Sequence, residues 1–125
     1  MSRAILDEQH IHPAIRADVA DYKSAVVREV QTAIATHDIV VVGMRQNPFP
    51  KKALKLLASL NLPAHYIEHG SYVGGWRDRL ALKMWAGWAT FPMVFIKGVL
   101  VGGAQDLQKL ADSGDLQRLV AASRP

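Results

Sequence analysis

The sequence contains no cysteine. That absence removes disulfide bridges, thiolate nucleophiles and cysteine-ligated zinc or iron–sulfur centres together. No apolar run approaches the length of about 20 residues that a bilayer-spanning helix needs. The formal charge of +4 is mild and spread along 125 residues, so it suits a small anionic partner better than a nucleic acid. No internal repeat, low-complexity tract or second domain is visible. The opening MSRAILDEQH is acidic and polar by its seventh residue and lacks a signal-peptide core, which predicts a cytoplasmic protein that is not bound to a membrane.

Half of the residues are hydrophobic, enough for one domain to bury its own core without disulfides or metal. The chain is organised around residues 39–52, IVVVGMRQNPFPKK. Ile39 to Val42 are β-branched and continuous, the pattern of a strand buried on both faces. After Gly43, Asn47-Pro48-Phe49-Pro50 leads into a helical pattern. Asn is a good N-cap, and Pro48 at N1 loses no hydrogen bond. Pro50 falls at N3, where the N–H also has no intrahelical acceptor. The free amides and dipole of this helix start suit an anion, with Arg45, Lys51 and Lys52 nearby.

Residues 1–17 read as an extension and 18–125 as the main domain. His10-Ile11-His12 invites a metal reading, but no further ligands are placed to complete a site, and a surface segment is the better reading. Val19, Tyr22, Val26, Val30 and Ala33 or Ile34 predict one amphipathic helix, broken at Thr36-His37-Asp38. The helix after Asn47 buries Leu54, Leu57 and Ala58 and ends near Asn61-Leu62-Pro63. Ala64 to Glu68 then completes a strand–helix–strand unit with parallel strands. Residues 69–75 form a glycine-rich stretch without the Lys-Ser/Thr ending of a phosphate loop, and read as a plain loop.

A helix is predicted from Trp76 to Ala86, with Leu80 and Met84 inward and Arg77, Arg79 and Lys83 outside. Arg79 and Lys83 share a face, either as a solvated basic surface or as anion contacts. Trp76, Trp85 and Trp88 read as packing residues. Met93 to Ile96 and Val99 to Gly102 flank Lys97-Gly98, a tight hairpin. Gly102-Gly103 precedes a helix carrying Leu107, Leu110 and Ala111, which Gly114 interrupts. Asp115 then caps a last turn through Leu116, Leu119 and Val120.

These motifs in this order resemble the glutaredoxins: a strand, Pro-Phe at a helix start, then Trp88-Ala89-Thr90-Phe91-Pro92, Val94-Phe95-Ile96, Gly98 and Gly102-Gly103-Ala104-Gln105-Asp106-Leu107. The resemblance covers Ile39 to the C-terminus, and 79–88 is most similar to the monothiol branch. It implies an α/β thioredoxin-like three-layer sandwich: a four-stranded mixed sheet flanked by helices, here with an added N-terminal helix. It also implies a cis Phe91–Pro92 peptide and a groove for glutathione. In that groove the Phe91 backbone would face the cysteinyl residue, and Arg79, with Arg45, the glycine carboxylate. The turn from Gly103 to Asp106 would hold the γ-glutamyl end, beside Asn47, Phe49, Thr90 and Pro92.

The departures matter as much. Asn47 and Pro50 stand where the family carries cysteine, so thiol–disulfide exchange by the family route is absent and an iron–sulfur cluster is not expected. Gln105 replaces an Asp, Ala89 a Pro, and Met44 or Arg45 a Lys. The reading is therefore a redox-inactive homologue with no catalytic or metal-ligating residue that binds glutathione or a similar peptide-like anion. The alternative is a protein-interaction module with a vestigial groove. An enzyme of altered chemistry ranks last, because no base is evident.

Overall fold

In the computed structural model, which describes residues 2–125, the run Ile39–Gly43 forms strand β1 and is buried at every position. Helices α1 (Arg16–Asp21) and α2 (Ser24–Thr36) precede it. After it come α3 (Pro48–Ser59), β2 (His65–Glu68), α4 (Trp76–Ala86), β3 (Met93–Ile96), β4 (Val99–Gly102), α5 (Ala104–Ser113) and α6 (Asp115–Ala121). The four strands form one sheet in the order β2-β1-β3-β4. β1 pairs parallel with β2, Val41 opposite Tyr66, and antiparallel with β3, Val41 opposite Val94.

Successive residues of a strand point to opposite faces, and both faces of β1 are covered. Val40 and Val42 join Val30, Leu82, Met93 and Phe95 in a core beneath α2 and α4. Ile39 and Val41 join Leu57, Val94, Leu107 and Leu116 in a second core beneath α3, α5 and α6. Helices on both faces of a mixed sheet give the three expected layers, and the double burial explains why β1 is continuously apolar. The hairpin turns through Lys97 and Gly98, at φ 51° and 80°, the positive pair that a two-residue turn requires.

Three expectations about the helices are corrected. On α3, Ala58 was expected inward but is exposed, and Ala53 is buried instead. The helix predicted from Val19 through Ile34 is two helices, because the chain breaks at Tyr22-Lys23, where Lys23 sits at φ 48°. On α4, Leu80 and Met84 were expected inward but are 38% and 56% exposed, whereas Arg79, Ala81 and Leu82 are buried. This helix has apolar residues on both sides, so periodicity alone cannot choose its buried face.

Gly114, at φ 83°, ends α5 and occupies the cap position of α6; Asp115 lies in the first turn and pairs with Arg118. The N-terminal segment passes the end of α4, where Arg3 packs against Gly87. Among the described residues, no helix is long and apolar enough to cross a membrane.

Candidate functional site

The start of α3 is built as its residues dictate. Asn47 adopts an extended backbone and its Oδ1 accepts from the Phe49 N–H at 3.0 Å. Pro48 follows at N1 and Pro50 is buried. A Cβ on Gly43 would lie 2.7 Å from Pro50 Cβ and 2.9 Å from Tyr66 Cε1, so strand and helix start meet at the closest spacing that glycine permits. Pro50, which the resemblance places at the family's second cysteine position, is thus sealed against the sheet.

The Asn47 side chain also makes a contact that no local motif announces. Its Nδ2 donates to the Phe91 carbonyl at 3.2 Å, joining α3 to the segment before β3. There the Phe91–Pro92 peptide is cis. Phe91 is buried at 6% exposure, while Thr90 is exposed. The third wall follows β4. Asp106 folds back so that its Oδ2 accepts from the Gly103 N–H at 2.9 Å. Gly102, at φ 108°, must be glycine, since a Cβ would meet that same oxygen at 2.6 Å.

These three segments enclose an open groove of about 640 Å³. It brings together Asn47, Phe49, Arg79, Thr90, Phe91, Pro92, Gly103, Ala104, Gln105 and Asp106. Arg45 is not on its wall: the side chain is exposed and lies 3.8 Å from Glu68. Met44, Tyr72, Lys83, Trp88 and Ala89 complete the lining. They were not among the site residues anticipated; Lys83 had been paired with Arg79 as an alternative anion contact, Met44, Trp88 and Ala89 lay in or beside the family-like motifs, and Tyr72 carried no signal.

Arg79 is the principal surprise. Its Nη1 donates to the carbonyls of Gly74 (2.8 Å) and His69 (3.3 Å), and the residue is 8% exposed. The guanidinium therefore organises the loop 69–75 from within, rather than standing on a solvated face. The same loop is tied to α2 by His69 Nε2 and Glu29 Oε1 at 2.6 Å.

Lys83 places its ammonium 5.8 Å from the centre of the Phe91 ring. With Arg79 it makes one part of the groove cationic, whereas Asp106 makes another anionic. Among the described residues, Trp88 Nε1 has no hydrogen-bond partner; it is buried beside Gly103. With no thiolate at Asn47 or Pro50, the donor set does not fit an iron–sulfur cluster. Among the described residues, no group of three or more His, Asp or Glu is placed to hold a metal.

A four-stranded mixed sheet in this order, helices on both faces and a cis-proline entering β3 together define a thioredoxin-fold protein. No family model matches the chain. A glutaredoxin-like protein of Dictyostelium discoideum is 40% identical over 98 residues, spanning 78% of this chain and 80% of that protein. Glutaredoxin-C4 of Arabidopsis thaliana is 32% identical over 94 residues, spanning 75% and 70%. Among solved structures, wheat glutaredoxin superposes with a TM-score of 0.67 at 29% identity, covering 77% of this chain and 89% of that one. Buckwheat glutaredoxin, solved as a glutathione complex, gives 0.71 at 23%, covering 80% and 91%. The chain belongs to the glutaredoxin family, as a member without cysteine.

Proposed function

We propose that the groove binds glutathione, or a similar peptide-like anion, without thiol–disulfide turnover. The observation that carries this reading is the charge arrangement of a groove with no thiol: Arg79 and Lys83 on one part of its wall, Asp106 on another. Glutathione has the matching outline, with two carboxylates and a single ammonium. The glycine carboxylate would meet the cations, and the γ-glutamyl ammonium would meet Asp106. The γ-glutamyl carboxylate would take the amides at the start of α5, where a helix N-terminus favours an anion. The glutathione complex of buckwheat glutaredoxin, a protein of the same fold, supports the choice of ligand.

On this reading residues 18–125 are the binding domain and 1–17 an extension. Since the protein contributes no thiol, the thiol of the ligand is dispensable. Calorimetric titration of the full chain should therefore give saturable binding of both reduced glutathione and S-methylglutathione, with similar affinities. In a mixed-disulfide assay the purified protein should show no turnover above background. Absence of saturable heat at millimolar glutathione would leave the scaffold as a protein-interaction module.

A further inference from the structure

Helix α4 has a solvent face that neither core nor groove uses. Trp76, Leu80 and Met84 recur at four-residue steps and so lie on one side of the helix. They are 54%, 38% and 56% exposed, and none of them lines the groove. The stripe runs about 12 Å at the helical rise. At its far end Met84 opens into a cleft of about 360 Å³ bordered by Val19, Tyr22 and Trp85. Contiguous exposed apolar surface of this kind marks binding sites in soluble proteins.

The charges around the stripe select its occupant. Arg77 follows Trp76 and holds its guanidinium 4.5 Å from the centre of the Trp76 ring, and Arg28 lines the cleft. The only carboxylate of α4, Asp78, lies 3.6 Å from Lys23 and so faces α2. Two copies packed symmetrically through α4 would set cation against cation, which argues against a second copy. We propose that the α4 stripe and its cleft dock an amphipathic helical segment of another protein, apolar along one side and acidic along its flanks.

An acidic helix laid along α4 would meet Arg77 and Arg28 while its apolar side covers the stripe, with one large side chain in the cleft. Asp18 and Asp21 on α1 repel the same flanks and hold the segment on the α4 side. This surface is separate from the groove, so the proposal stands or falls independently of glutathione binding.

The test uses the isotopically labelled full chain and two designed peptides of about 18 residues, long enough to hold helix. Both carry the same leucine face; one has Glu and the other Lys on its flanks. The Glu peptide should bind saturably, with amide shifts confined to α1, α2 and α4. Binding should weaken by about tenfold or more with the Lys peptide, as expected when favourable charge pairs become repulsive.

Leu80→Glu should abolish binding at an unchanged melting temperature, and Trp76→Glu serves as a second variant. In the peptide experiments any of four results would overturn the proposal: no shifts at millimolar Glu peptide; equal binding of the Lys peptide; shifts that map to the groove; or binding that survives in both variants. Sedimentation showing that the chain alone dimerises, and that Leu80→Glu disperses the dimer, would overturn it in favour of a second copy.

Discussion

Both polar atoms of the Asn47 amide are engaged inside the protein, one on the Phe49 N–H and one on the Phe91 carbonyl. On the proposed reading, the second bond occupies an acceptor that an extended ligand would otherwise use. Serine retains an N-cap oxygen but is too short to reach Phe91. Asn47→Ser should thus cost about 0.5–1.5 kcal/mol of stability, the net worth of the lost bond to Phe91. It should also tighten glutathione binding by up to about tenfold, the scale of one hydrogen bond gained. Calorimetry beside a thermal melt reads both; unchanged affinity would mean that the Phe91 carbonyl does not contact the ligand.

Arg79 has a different double role. Arg79→Ala strands two carbonyls in a part-buried loop and should cost about 1.5–3 kcal/mol of stability in a urea titration. An unchanged urea midpoint would contradict the observed contacts. Burial and the neighbouring Glu68 carboxylate push the Tyr66 hydroxyl up from 10.0 to about 12. The raised folded-state value means that this contribution to stability is complete below pH 10, the unfolded value, and is lost as pH rises through about 12. Ultraviolet titration should show one of the three tyrosines ionising late, and Tyr66→Phe should remove that phase.

Among the elements, β1 and the start of α3 are held at the contact between Gly43 and Pro50. Gly43→Ala forces a methyl group into three atoms nearer than 3.0 Å and should destabilise by about 1–3 kcal/mol, the usual cost of overpacking. Equal denaturation midpoints for variant and wild type would show that the strand yields instead. These elements were legible because local chemistry and tertiary setting agree in them: a β-branched run buried on two faces, an Asn-Pro helix start, a Lys-Gly turn. The break between α1 and α2 was not legible, since Lys23 takes a left-handed conformation with nothing in its residue type to announce it. Nor was the orientation of α4, whose two apolar sides leave the choice to Arg79 and the carbonyls it reaches.

Across the whole molecule, the groove was legible as an ordered set of motifs, but its wall was not. Tyr72 reaches it only because the loop is turned as it is, which no local pattern encodes, and the spacing of Arg79 and Lys83 left open whether they face solvent or the groove. The arrangement of strands has a further consequence for how the chain is made. β1 is an interior strand, yet its second neighbour, β3, begins at Met93, and Leu107 and Leu116 cap one of its faces later still. A ribosome adding about 5–20 residues per second therefore leaves this wholly buried strand half-paired for several seconds after it emerges. During vectorial synthesis, Ile39–Val42 is the segment that a nascent-chain chaperone would have to shield.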